Sequence, residues 1–244
     1  MNADVLLACS FAVAAMLYAS VGHGGASAYL AVMALAGFAP QEMRWLALWM
    51  NILVSGVATL MFMRYFEWRL FWPFSVAAIP CAWLGGMVEL TAGAFYWLVG
   101  VALVVAAIRL FLPDGSHGLK PLSLPAAIGS GAIIGTLSGL VGVGGGIFLT
   151  PLLMLTKWAN PKQAAAVSAP FIFLNSLAGI GGMVTSGNGG ALSTELLIYG
   201  ASALLGGLAG GWWGSIRARP AWLRPALAVV LVVAAVKFGD LALS

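Results

Sequence analysis

The chain has 244 residues, 62% of them hydrophobic and only 7% charged: eleven Lys and Arg against seven Asp and Glu. A water-soluble domain covers its surface with roughly 25% charged residues, so this composition excludes a chain solvated on all sides. A mean hydropathy of +1.02 and 32 glycines read instead as polytopic membrane helices, eight to ten segments at about 20 residues per span.

Apolar runs punctuated by Gly, Pro or charge fall at 4–21, 26–38, 44–63, 70–88 and 95–112, then at 125–141, 147–156, 163–184, 195–214 and 221–238. The first has no Lys or Arg before it and reads as a membrane segment rather than a cleaved leader. The segments 26–38 and 147–156 are too short for a roughly 30 Å hydrocarbon core at 1.5 Å per residue, and read as half-helices. The polar stretch 113–124, PDGSHGLKPLSL, divides the chain into a first membrane repeat (1–112), a linker and a second repeat (125–244).

The halves repeat one another. VGHGGAS at 21–27 matches VGVGGGI at 141–147, and Pro40 matches Pro161. Trp83-Leu84-Gly85-Gly86 resembles Leu204-Leu205-Gly206-Gly207, and LVVAAIR at 103–109 matches LVVAAVK at 231–237. Landmarks in one order at nearly constant offset indicate duplication. With five passes per half, one face receives Arg64, Arg69, Arg109, Lys120, Lys157, Lys162, Arg217, Arg219 and Arg224, and the other only Arg44 and Lys237. Four passes per half would divide the basic residues almost evenly, so the excess of Lys and Arg in cytoplasmic loops favours five. Five is odd, and the second half is therefore expected to be inverted, with both termini on the outer side and the linker cytoplasmic.

Each glycine-rich turn precedes a short helix, whose first N–H groups and positive dipole end face the protein's centre. That builds an anion site without a charged side chain. Glycine suits it because, lacking Cβ, it lets a ligand approach the amides; close helix packing is the competing use of such residues. The candidate binding residues are Gly22, His23, Gly24, Gly25 and Ser27 in the first half, and Gly142, Gly144, Gly145, Gly146 and Thr150 in the second. Asn51 and Asn175, matched at an offset of 124 on the long helices that follow, join them, since an Asn inside an apolar helix must find a partner. His23 is the one ionisable group expected near the centre, where it could carry a coupled proton; its repeat partner is Val143. His117 falls in the polar linker.

All seven acids sit at segment ends or in connections. A cation carrier, a carboxylate proton relay or an intramembrane hydrolase would need one at mid-depth. No Walker lysine motif or Ser-His-Asp spacing is present, and Cys9 and Cys81 lie apart in apolar stretches without a CxxC. No enzymatic activity, cofactor, metal site or nucleic-acid partner is expected; the partners are a small anion and the lipid bilayer, with homo-oligomerisation left open.

The turn VGHGGAS followed by GFAPQEMR, and SGLVGVGGGIFLTPLLML followed by NPKQAAAVSA, resemble the TauE/SafE family of sulfite exporters and sulfonate permeases over essentially the whole chain. The resemblance implies secondary transport of small sulfur-containing anions across the bacterial inner membrane. The expected fold is an all-α polytopic membrane protein of two inverted five-segment repeats. It alternates access around the two turns, with a passive anion channel or a membrane scaffold as the competing readings.

Overall fold

Among the described residues, ten α-helices follow the ten apolar runs within a few residues. The computed structural model describes residues 3–111, 118–216 and 223–243. Asp114, His117, Arg217 and Arg219 lie outside the described residues, as do the side chains of Arg109 and Arg224. The first half comprises α1 (Ala3–Ala19), α2 (Ala26–Leu35), α3 (Pro40–Phe62, continued by a 3-10 turn over Met63–Tyr65), α4 (Trp68–Met87) and α5 (Ala92–Phe111). The second comprises α6 (Leu124–Val141), α7 (Gly146–Leu155), α8 (Pro161–Thr185), α9 (Thr194–Ile216) and α10 (Leu223–Leu243). No strand occurs among the described residues.

Local signals set the boundaries. Pro40 and Pro161 occupy the first turns of α3 and α8, where a missing N–H goes unfelt. At α8, Asn160 and Gln163 form a reciprocal capping box. By length and composition α3, α4, α6, α8 and α9 are long and apolar enough to cross a membrane. The ten-residue α2 and α7 are half-helices, as their sequences predict. Large apolar side chains such as Leu60, Val76, Val101, Ile133 and Val236 point outward, the arrangement of a protein whose solvent is hydrocarbon. The chain is an all-α polytopic membrane protein.

The repeats pack as an exchange of halves. Helix α4 lies on α6 as α9 lies on α1, α4 on α8 as α9 on α3, and α2 on α3 as α7 on α8, while α5 packs against its own counterpart α10. The equivalent helices α3 and α8 run antiparallel. At one end Lys162 Nζ, at the start of α8, donates to Tyr65 Oη at the end of α3 over 3.1 Å. At the other end Trp45 Nε1, near the start of α3, donates to Ala191 O beyond the end of α8 over 3.2 Å. Antiparallel equivalent helices are what an inverted repeat requires.

The charges segregate between these ends. Arg64 donates to Ser215 O near the end of α9, and Lys120 N donates to Lys157 O over 2.8 Å, so Arg64, Arg69, Lys120, Lys157 and Lys162 gather at one end. The opposite end holds the start of α1 and the end of α10: Tyr199 near the start of α9 reaches Asp4 at 3.4 Å, and Phe238 of α10 packs on Phe95 and Tyr96 at the start of α5.

Glycines at four-residue spacing let paired helices touch backbone to backbone. A Cβ at Gly131, Gly135 or Gly139 of α6 would strike Phe74, Ala78 or Ala82 of α4, and one at Gly206, Gly210 or Gly214 of α9 would strike Ala12 or Met16 of α1 or Ser20 just beyond it. In lipid, where burial gives helices little reason to associate, such close contact is a main source of cohesion. The α4 and α9 contacts also revise a sequence match. Gly85 meets Thr136 and Gly86 meets Gly182, as Gly210 meets Met16 and Gly211 meets Met61. Gly85-Gly86 therefore corresponds to Gly210-Gly211, one turn later than the pairing with Gly206-Gly207.

Two outcomes follow. Gly135→Leu or Gly210→Leu should abolish the monodisperse folded protein in detergent, read by size-exclusion chromatography, whereas Gly129→Leu, whose Cβ meets nothing within 4 Å, should be tolerated. Single cysteines at Ser123 and Ala191, in a background without Cys9 and Cys81, should react with an impermeant maleimide from opposite faces of the membrane; labelling of both from one face would contradict the inverted arrangement.

Candidate functional site

The two glycine turns meet at the midpoints of α3 and α8. Asn51 is the twelfth of 23 residues in α3 and Ile172 the twelfth of 25 in α8. A Cβ built at Gly24 would collide with Asn51 Oδ1 and lie 3.2 Å from Ile172 Cγ2. One built at Gly144 would lie 2.7 Å from Asn51 Nδ2, 2.7 Å from Ile172 Cγ2 and 3.1 Å from Ser176 Oγ. The Asn51 amide thus sits between the turns, touching one with its oxygen and the other with its nitrogen.

Symmetry extends outward. Gly22, at φ 79°, is pressed against Ala165, whose Cβ would be 2.7 Å from an added methyl. Gly142, at φ 81°, is pressed in the same way against Arg44, at 3.0 Å from Cγ and 3.1 Å from the carbonyl oxygen. Only glycine fits there on both counts, left-handed backbone and contact with a neighbouring helix. The N-caps Gly25 and Gly145 are left-handed too, and neither offers a side chain to the first amides of α2 or α7. From the third residue of each helix the amides turn back to the cap's own carbonyl, Ala28 N to Gly25 O over 3.0 Å and Phe148 N to Gly145 O over 3.1 Å, and no side chain caps the amides before them.

The polar groups at the centre are buried and incompletely paired. Asn51 is fully buried, and neither Oδ1 nor Nδ2 has a hydrogen-bond partner. Ser176 Oγ and Ser138 Oγ are likewise fully buried and unpartnered, the latter with its Cβ 3.6 Å from the methyl position on Gly145. Leaving such a group unsatisfied costs on the order of 1–3 kcal/mol, and three of them gather beside the two glycine turns.

Other predicted residues are committed elsewhere. Ser27 Oγ donates to Tyr18 Oη over 2.8 Å, Thr150 Oγ1 and Ser168 Oγ share a hydrogen bond of 2.7 Å, and Tyr29 Oη donates to Gly24 O over 2.6 Å. These brace the turns instead of facing the centre. Asn175 Nδ2 bonds back to Phe171 O over 2.8 Å, leaving its buried Oδ1 unpaired. The contacts make Ile172, not Asn175, the counterpart of Asn51: the turn and helix partners repeat at offsets of 120 and 121. At the same offset Ser176 answers Ser55. Ser176 escaped the sequence reading because Asn175 beside it drew the match to an offset of 124.

His23 joins the halves. Its Nδ1 lies 3.2 Å from Val21 O in its own turn, and its Nε2 lies 3.2 Å from Gly146 O at the start of α7. A neutral imidazole has one N–H and can donate to only one of these carbonyls; an imidazolium donates to both. The six acids among the described residues (Asp4, Glu42, Glu67, Glu89, Glu195 and Asp240) are all exposed, and no cluster of metal-ligating side chains occurs among those residues. An apolar cleft of about 340 Å³ between α1 and α2, bounded by Leu17, Tyr18, Ala28 and Val32, flanks the first turn without supplying a charged group.

A sequence model of the family described as "Sulfite exporter TauE/SafE" matches residues 6–238. The chain belongs to the TauE/SafE family. It is 36% identical over 239 residues to the "Probable membrane transporter protein y4hK" of Sinorhizobium fredii, covering 95% of this chain and 96% of that one. Shorter matches join it to the probable membrane transporter proteins MJ0441 of Methanocaldococcus jannaschii, 36% identical over 42% of this chain and 36% of that one, and YunE of Bacillus subtilis, 32% identical over 45% of each. No solved structure matches. The chain is a multi-pass membrane transporter of the TauE/SafE type.

If the Asn51 amide is kept unsatisfied for a ligand, removing it relieves a cost. Asn51→Leu should raise the melting temperature of the detergent-solubilised TauE/SafE protein by a few degrees while abolishing any anion-dependent stabilisation; a fall in melting temperature would mean that the amide serves the fold.

Proposed function

We propose that this chain is a secondary transporter that carries small sulfur-containing oxyanions, such as sulfite or a sulfonate, out across a bacterial inner membrane. The observation that carries the reading is the Asn51 amide, buried and unpartnered between Gly24 and Gly144. In this reading, hydroxyls and an amide, with the uncapped amides of α2 and α7, receive the oxygens of an anion. A neutral donor set of that kind favours negative charge without requiring a buried cation.

Alternating access would rest on the inverted repeat. Ile172 packs against Gly24, Gly144 and Gly146, and His23 bridges to Gly146, so the closed centre opens only as the two turns part. Rocking of one half against the other exposes the site to each side in turn, the usual consequence of such symmetry. With the basic end cytoplasmic, the membrane potential contributes about 2.3 kcal/mol per charge per 100 mV toward expelling an anion. His23 is placed to hold a coupled proton, because protonation adds the second of its two carbonyl contacts and tightens the bridge.

Purified protein in vesicles should exchange external for internal sulfite with saturation and counterflow. Flux without saturation or counterflow would indicate a channel, and absence of flux for sulfite and for a sulfonate panel would overturn the substrate class. His23→Gln, which keeps one donor but cannot ionise, should retain exchange while flattening its dependence on pH between about 5 and 8; an unaltered pH profile would remove His23 from coupling.

A further inference from the structure

The sequence reading assigns Arg44, at the head of the run 44–63, to one face of the protein, and the structure buries its side chain there. It is the fifth residue of α3, only 5% exposed. Its Nη1 donates to Val88 O over 2.9 Å, and its Nη2 donates to Gly85 O and Gly86 O over 2.7 and 2.8 Å, at the C-terminal end of α4. All three acceptors are backbone carbonyls, which offset the charge only through their dipoles. A guanidinium has five N–H donors, and Nε is buried with no partner.

Packing does not account for an arginine at this position. The equivalent of Arg44 is Ala165, which presses on Gly22 as Arg44 presses on Gly142. A methyl group therefore suffices to build the same contact between a long helix and a glycine turn. The positive charge has been added to one half only, at the end opposite Arg64, Arg69, Lys120, Lys157 and Lys162. It lies two helical turns before Asn51, on the same face of α3 and about 10 Å along its axis, and the second turn spans the interval, with Gly142 against Arg44 and Gly144 against Asn51.

We propose that Arg44 is a second anion-contacting residue, placed between the central site and the face where the termini emerge, and that it makes the pathway one-sided. The inference rests on the reading of the centre as an oxyanion site. An anion leaving Asn51 toward that face meets Nε–H of a guanidinium whose geometry suits sulfur oxyanions; an anion on the opposite path meets Ala165. Arg44 thus sets affinity from the terminal face and leaves affinity from the basic face to the turns.

The test is sulfite counterflow in vesicles whose protein orientation is fixed by labelling a cysteine at Ala191. Arg44→Gln keeps an amide donor for the α4 carbonyls and removes the charge. It should raise KM from the terminal face by about tenfold, change KM from the basic face less than twofold, and leave maximal exchange largely intact. Arg44→Lys, which keeps the charge but not the fork, should restore most of the affinity at the terminal face, and it serves if the glutamine variant does not fold. Equal KM values for wild type and Arg44→Gln at both faces, or a loss of maximal rate with KM unchanged, would reduce Arg44 to a brace for α4 and overturn the inference while leaving the central site standing. A wild-type protein with no sulfite exchange would overturn the central reading, and this one with it.

Discussion

Backbone interrupted at the middle of a bilayer has no water to bond to, and the fold is organised around answering that constraint. The half-helices α2 and α7 begin at the breaks Gly22–Gly25 and Gly142–Gly145, with first-turn amides that no side chain caps. Such breaks survive in a membrane only when protein or a wet cavity surrounds them. The surroundings are the midpoints of α3 and α8, themselves shielded by α4, α6 and α9. Close glycine contacts draw those outer helices in, and the hydroxyls of Tyr29, Ser27 and Thr150 hold the turns and half-helices in place.

The symmetry is broken in chemistry more than in shape. His23, Asn51 and Arg44 lie in the first half, and their counterparts Val143, Ile172 and Ala165 are apolar. Both halves supply a glycine turn with a left-handed first and last glycine, Gly22 and Gly25 in one and Gly142 and Gly145 in the other, the symmetry on which the proposed alternating access rests. On the proposed reading, an amide at the centre, a histidine tying the turns together and a guanidinium toward one face would make the two openings differ, with every acid among the described residues exposed.

Much of this was legible in the sequence because the membrane simplifies the code. Ten apolar runs became ten helices, and the scarcity of charge made the few basic residues informative about topology. The short runs at 26–38 and 147–156 announced half-helices by length alone. What the sequence obscured were relations that depend on register. In a chain rich in Ala, Val, Leu and Gly, Asn51 was aligned with Asn175 by chemical likeness, although contacts align it with Ile172; Gly85-Gly86 slipped by one turn for the same reason. Arg44 was read only as one of two basic residues assigned to one face, and the carbonyls that receive it lie more than forty residues away. Ser27 and Thr150 had the composition of ligands, but each is spent on a neighbouring hydroxyl.

The central claim is that an oxyanion occupies the space where the two turns meet α3. An experimentally determined structure of the protein with selenite present, in which the heavier atom marks the anion, tests it most directly. Density within hydrogen-bonding distance of Asn51 Nδ2 and Ser176 Oγ, flanked by Gly24 and Gly144, is the expected result. Selenite that is exchanged by the same preparation yet bound only away from these residues would contradict the account.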